Sequence, residues 1–268
     1  MLKCGITGST GNLGNTFINT NKNFNYIKFK GDIRQKKQVY NWVKNNNFDL
    51  IIHFAALVPT GIVNKNYKKA LDINYKGTKH LVDALIKFKK KIKWFFYSST
   101  SHVYPLQKKR IKETNIIKSS SKYGKTKFLA ENYLKKKFTE KRINFCIGRI
   151  FSIFDNKSVG FLLPSLKNKI NKKSKKIILE NLNHYRDFLS TKQISKVIFF
   201  LWSKKFVGTI NIGSGRKTNL KSVAKIIGSK EKKELFFRNN KPSYHIADIS
   251  KLRQLGFNQN KLNFSKFL

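Results

Sequence analysis

The first half of the chain alternates short apolar runs with stretches whose apolar residues recur at helical spacing. The runs Leu2 to Thr7, Tyr26 to Phe29, Leu50 to Phe54, Trp94 to Ser98 and Phe145 to Ile150 are nearly all apolar and rich in Ile, Val or aromatic residues, as strands buried on both faces should be. Between them, Gly14 to Asn19, Gln38 to Asn45, Asn74 to Phe88 and Lys122 to Phe138 read as helices. In the last of these, Tyr123, Lys127, Ala130 and Leu134 share one face. The alternation predicts an α/β fold, a doubly wound parallel sheet of the Rossmann type. After Phe151 the pattern loosens into the apolar run Gly160 to Leu166, a Lys/Asn-rich stretch, a helix near Lys192 to Trp202, a strand Thr209 to Ile212, a helix Leu220 to Ile227 and a short helix Ile249 to Leu255. No internal repeat and no Pro/Gly/Ser linker separates the halves, so a small C-terminal α/β lobe is expected to pack on the sheet domain.

Composition changes this picture little. The 268 residues are 40% hydrophobic, with 23 Phe, 10 Tyr and 3 Trp, enough burial to exclude disorder. Lys or Asn interrupts every apolar stretch before it reaches membrane-spanning length, and the N-terminus lacks a signal peptide's apolar region and cleavage site. Cys4 and Cys146 lie in strand-like runs and make neither a disulfide framework nor a metal site. The expectation is a globular protein of a reducing compartment, the cytoplasm, with no membrane insertion and no metal.

Charge poses the harder question. Lys and Arg number 57 against 13 acids, a net charge of +44. The excess is mostly Lys, spread through different predicted elements at Lys87 to Lys93, Lys135 to Lys137 and Lys167 to Lys176. Phosphate recognition favours Arg gathered on one face, so a solvated Lys-rich surface is expected rather than specific nucleic-acid binding. Such a surface still raises encounter rates with anionic substrates.

The chemistry begins at Gly8, Gly11 and Gly14, which follow the first strand and open a helix. A glycine-rich turn in that context lets the backbone approach a pyrophosphate, whose charge the helix N-terminus holds. An acid about 20 residues past the first glycine would bind the adenosine ribose. Counting lands on Lys28 to Lys30, with Asp32 slightly late. Asp32 at the ribose or adenine points to NAD; Lys30 and Arg34 on a 2′-phosphate point to NADP. Both stay open.

Tyr123 and Lys127 place a phenol and an ammonium on neighbouring turns of one helix face. A nearby cation favours the phenolate and lowers the phenol's pKa, fitting Tyr123 to move the proton of a sugar hydroxyl while hydride passes to or from a nicotinamide. The strand Trp94 to Ser98 runs into Ser99, Thr100 and Ser101, a hydroxyl cluster at the edge where open α/β sheets bind ligands.

With these pieces in order, the chain resembles the extended short-chain dehydrogenases/reductases of the NAD-dependent epimerase/dehydratase family, which modify nucleotide sugars. The resemblance runs through TGSTGNLG at Thr7, GDIR at Gly31, DLIIHFAA at Asp49, INYKGT at Ile73, SSTSHVYP at Ser98, YGKTK at Tyr123, GRIF at Gly148, RDFLST at Arg186, NIGSG at Asn211 and ADISK at Ala247. It implies catalytic roles for Tyr123, Lys127 and Thr100. It implies cofactor contacts at Gly8, Thr10, Gly11, Asn12, Leu13, Gly14, Asp32, Ile33, Phe54, Ala55, Ala56, Ser98 and Lys127, with Asn74 a structural neighbour. Substrate contacts are implied at Val58, Ser99, Ser101, Ser152 and Arg186. Residues 1–150 would form the NAD(P)-binding domain, with 185–213 returning to it, and residues 151–184 and 214–268 the substrate lobe.

Departures narrow the reaction. Sugar 4,6-dehydratases carry an Asp-Glu pair where this chain has Ser101 and His102, which argues against dehydration; a hydrogen-bonded loop role is expected for His102. The segment between Gly14 and Gly31 is compressed, as in the 4-keto-sugar reductases, and implies a missing or merged strand-helix unit. The leading expectation is an NAD(P)-dependent nucleotide-sugar epimerase. The alternatives are an NADPH-dependent 4-keto-sugar reductase and a non-catalytic dinucleotide- or RNA-binding relative. A homodimer through a helix pair that includes the Tyr123 helix is possible by resemblance alone.

Overall fold

Each apolar run of the first half is a strand of one sheet. The computed structural model describes residues 1–58, 60–154, 162–171, 174–238 and 241–258. In chain order the first elements are β1 (Leu2–Thr7), α1 (Asn12–Thr20), β2 (Phe24–Lys28), α2 (Lys36–Lys44), β3 (Leu50–His53), α3 (Thr60–Lys65), α4 (Tyr67–Leu71), a π turn (Asp72–Lys76), α5 (Gly77–Lys87), β4 (Trp94–Thr100), a 3-10 turn (Ser101–Val103), α6 (Lys122–Glu140) and β5 (Phe145–Ile150). The strand Gly208–Ile212 joins the far edge, giving six strands in the order Gly208–Ile212, β5, β4, β3, β1, β2. The pairs from β2 through β5 are parallel, in register at Leu2 with Phe24, Cys4 with Leu50, Leu50 with Trp94, and Phe95 with Phe145. The central strands β3, β4 and β5 are buried on both faces, which explains their largely apolar sequences.

One face of this sheet carries a large hydrophobic core. Val39 and Val43 from α2, Leu81, Val82 and Leu85 from α5, and Ala130, Leu134 and Phe138 from α6 close over Ile51, Phe95, Tyr97, Phe145 and Ile147. Tyr123, Lys127, Ala130 and Leu134 are all buried, so the predicted α6 face is the packed one. The strand order reverses between β1 and β3, the place where such sheets bind ligands. Among the described residues one strand lies outside β1, where the commoner order has two. The compression therefore removes nothing between Gly14 and Gly31, where α1 and β2 both stand. Instead, α2 alone carries the chain from β2 across to β3.

The chain divides into two units, residues 1–105, 116–150 and 191–210, and residues 106–115, 151–190 and 211–268. The returning segment is thus 191–210 rather than 185–213. The buried Asp187 carboxylate accounts for the shift: it accepts hydrogen bonds from Ser214 N and Oγ (both 2.6 Å), Gly215 N (2.9 Å) and Ala247 N (3.1 Å), which ties 187, 214–215 and 247 into one body. Residues 106–115 join that body because Ile111 exchanges backbone bonds with Ile246 and Asp248. Within this second unit, helices Leu162–Ile170 and Leu220–Lys230 share a core with the parallel strand pair Lys176–Glu180 and Glu234–Arg238. Of the expected apolar run Gly160 to Leu166, Gly160 and Phe161 lie outside the described residues. Among the described residues no helix is long and apolar enough to cross a membrane.

Candidate active site

The turn between β1 and α1 is built from three glycines with different duties. Gly8 adopts φ +70°, and a Cβ there would lie 2.6 Å from Ala55 N. A Cβ on Gly14 would lie 2.2 Å from the Gly8 carbonyl oxygen. Both positions are closed to side chains by the protein's own backbone. A Cβ on Gly11 meets only Gly8 O, at 3.3 Å, so the fold itself hardly requires glycine there. Helix α1 starts just beyond, with no side-chain cap and no acid in its first turn. An open backbone at Gly11 under an uncapped helix N-terminus fits a pyrophosphate, and Thr10, Asn12 and Leu13 belong to the same turn. Ala55 docks against Gly8 and donates its amide to Thr7 Oγ1 (3.2 Å), so Phe54, Ala55 and Ala56 line the neighbouring strand exit.

At the end of β2 the expected ribose acid is missing, since no Asp or Glu occurs before Asp32. The Asp32 carboxylate is taken up by Arg34: Nη2 donates to Oδ2 at 2.6 Å, and Nε lies 3.0 and 2.9 Å from the two oxygens. That contact holds Asp32 below the usual carboxylate range. The Ile33 side chain is core, packed against Gly77.

The second cluster forms where α6 crosses the end of β4. Ser121 caps α6 by accepting from Gly124 N (3.0 Å) and lies 3.1 Å from His102 Nδ1. His102 is therefore hydrogen-bonded, with its ring edge-on to Tyr123. A Cβ on Gly124 would meet the His102 carbonyl oxygen at 2.1 Å, so glycine allows α6 to sit close on the 3-10 turn. That approach brings the Tyr123 phenol toward the Thr100 hydroxyl, which acts to lower the phenol's pKa. Tyr123 packs in a small cluster with Val63 and Ala70, flanked by Leu57, Val58 and Tyr67. Ser121→Ala should cost about 1 kcal/mol through loss of the cap, read as a lower thermal midpoint.

Lys127 departs from expectation. Its ammonium lies over the Tyr97 ring, 4.2 Å from the centroid, rather than lowering the Tyr123 pKa. Burial pushes the Tyr123 phenol up, opposed by the Thr100 hydroxyl, and pushes the Lys127 ammonium down to about 7. Spacing four residues apart puts two side chains on one face; the direction in which the lysine reaches is set by the sheet beneath it. His53, buried under the site, lies 2.5 Å from Thr7 Oγ1 and 2.9 Å from Thr78 Oγ1, and burial pushes its pKa down to about 3. Asn74 sits in the π turn that interrupts the predicted long helix, a distortion frequent at functional sites. Its side chain pairs with both backbone groups of Leu57 and donates to Thr126 Oγ1 (3.0 Å), a structural role.

Ser98, half-buried, and Ser99 and Ser101, both buried, flank Thr100. The first unit thus brings together Thr100, Tyr123, Lys127, Ser98, Ser99, Ser101 and Val58 around α6 and β4. Ser152 and Arg186 belong to the second unit. Ser152 N donates to Asp187 O (2.9 Å), and Arg186 donates to Ser243 Oγ (3.1 Å) and Tyr185 O (2.9 Å). Missed by sequence reasoning were Glu131 and Tyr104, which with Arg149 form a buried polar network. The signal for Glu131 was its place one turn beyond Lys127 on a helix otherwise crowded with lysine.

The chain is 25% identical to GDP-6-deoxy-D-talose 4-dehydrogenase of Aggregatibacter actinomycetemcomitans, over 94% of this chain and 90% of that protein. The fold is similar to RMD from Pseudomonas aeruginosa, solved with NADPH (TM-score 0.88, 17% identity, 99% of this chain and 96% of that one). It is similar also to Thermus thermophilus UDP-glucose 4-epimerase, solved with NAD (TM-score 0.85, 14% identity, 98% and 96%). The sequence pattern of the NAD dependent epimerase/dehydratase family matches residues 6–213, and the chain belongs to that family.

Proposed function

We propose that the protein is an NADP(H)-dependent oxidoreductase acting at C4 of a sugar carried on a nucleoside diphosphate. The observation that carries the reading is that Thr100, Tyr123 and Lys127 are all buried where α6 crosses the end of β4. When bound, the nicotinamide supplies or accepts the hydride. Tyr123 gives its phenolic proton to the C4 oxygen in reduction and takes it back in oxidation, and the Thr100 hydroxyl orients that oxygen. Burial favours the protonated phenol, which suits Tyr123 as the acid of a reduction. The Gly8–Gly14 turn holds the pyrophosphate through its backbone amides.

Net reduction or oxidation is preferred over the epimerase expected from sequence because of the β2 end. An acid there would bind the ribose hydroxyls of NAD; this chain offers Lys30, and Asp32 is occupied by Arg34. A 2′-phosphate answers that charge. The similarity to a sugar-nucleotide 4-dehydrogenase supports the same choice.

NADPH should bind at least about ten-fold more tightly than NADH in fluorescence titrations, and Lys30→Glu should remove that preference, a charge-assisted contact being worth roughly 1.5–3 kcal/mol. Incubation with GDP-6-deoxy-D-talose and NADP+ should give NADPH in step with product. Bound NAD that survives purification and is not consumed on turnover would make the protein an epimerase instead.

A further inference from the structure

Behind the catalytic cluster lies a polar network that the proton transfer does not itself use. Glu131 follows Lys127 by four residues and Tyr123 by eight, on the buried face of α6. Its Oε1 accepts a hydrogen bond from Ser99 Oγ, the neighbour of Thr100 on β4. Arg149, opposite Ser99 in the β4–β5 register, embraces the carboxylate, with Nη2 to Oε2 at 2.7 Å and Nε to Oε1 at 3.1 Å. Arg149 Nη1 donates to the Tyr104 hydroxyl (2.7 Å) just past the 3-10 turn. Ser99, Tyr104, Glu131 and Arg149 are all buried.

A buried ion pair contributes little to stability compared with apolar residues of the same volume, so stability alone is a weak reason for this one. Its connections are specific: one carboxylate joins α6, β4 and β5 at the residues adjoining Thr100 and Lys127. We propose that Glu131 is a positioning residue that ties the Ser99–Thr100 strand end to α6 and sets the charge felt by the Lys127 ammonium one helical turn away.

Electrostatics agree with the geometry. Lys127 has no carboxylate within 4.0 Å among the described residues, and Glu131 is the charge that opposes the effect of its burial. The other titratable groups around Lys127 are His53 from β3, Tyr97 from β4 and Tyr123 from its own helix, and Arg149 from β5 faces Glu131. His53 is neutral at physiological pH, and both phenols are pushed up by burial. None of them replaces the Glu131 charge.

The inference rests on Tyr123, Thr100 and Lys127 being the catalytic group, but its test needs no substrate. In protein carrying 13C at lysine Cε, the Lys127 resonance is identified by its loss in Lys127→Met, and its titration is followed with pH. Glu131→Gln keeps the volume and removes the charge. The midpoint of Lys127 should fall by about one pH unit, while the NADPH dissociation constant stays within about two-fold. Glu131→Gln also leaves Arg149 without its counter-ion, which by itself would destabilise the fold. The double variant Glu131→Gln/Arg149→Met removes that orphaned cation and should recover the thermal midpoint with the Lys127 titration still displaced. An unmoved Lys127 midpoint in Glu131→Gln, or its return to the wild-type value in the double variant, would overturn the proposal. Inactivity toward nucleotide sugars would leave this titration untouched and would count against the proposed function alone.

Discussion

Tyr123→Phe is expected to lower turnover by about a thousand-fold while the NADPH dissociation constant stays within about two-fold. The substitution deletes one oxygen. The ring keeps its place because its packing partners Leu57, Val58, Val63, Tyr67 and Ala70 contact carbon, and the edge-on contact with His102 does not involve the hydroxyl. The polar group beside the phenol is the Thr100 hydroxyl, so the loss in fold stability should stay near 1 kcal/mol. Thermal melting, cofactor titration and turnover measured on one preparation separate these effects. Thr100→Val should lower turnover less, by about ten- to a hundred-fold, because the proton donor remains and only its alignment is lost. A Tyr123→Phe protein turning over at the wild-type rate would remove Tyr123 from the chemistry and, with it, the reading of this cluster as an active site.

The sheet was legible in the sequence because parallel strands covered on both faces leave runs of apolar residues that no surface element shares. β1 and β5 match their predicted limits residue for residue. The helices Thr60–Lys65 and Tyr67–Leu71 were not legible: each is too short for a helical repeat, and Lys and Asn obscure what apolar pattern they have. The exposed-edged pair Lys176–Glu180 and Glu234–Arg238 failed for a related reason, since alternating burial in a Lys-rich chain looks like loop. At the site, the spacing of Tyr123 and Lys127 and the hydroxyls ending β4 were visible because helix and strand periodicity place them. What periodicity cannot convey is depth. The Glu131–Arg149 pair joins residues on a helix and a strand, and the seat of Lys127 on Tyr97 depends on how far α6 sinks into the sheet.

That depth leads to the second large effect, in which activity and stability move in opposite directions. Lys127→Met should lower turnover by about a hundred- to a thousand-fold and make the protein more stable at neutral pH. Burial drops the Lys127 pKa from 10.5 to about 7, equivalent to roughly 5 kcal/mol of penalty on the charged form. The sign follows from proton counting. Between pH 7 and 10.5 the unfolded chain holds the proton that the folded protein has shed, so wild-type stability rises with pH across this window. Below pH 7 both states are protonated and the whole penalty is present. Methionine has nearly the same length, carries no charge and has no such dependence. The gap between the urea midpoints of Lys127→Met and wild type should therefore be widest near pH 6 and close steadily toward pH 10, since every other titrating group is common to both proteins. A gap that does not change with pH would mean that Lys127 keeps its ordinary pKa in the folded protein. A closing gap together with lost turnover would identify Lys127 as a charge the fold tolerates at a cost in stability, held beneath Tyr123 for the reaction rather than for folding.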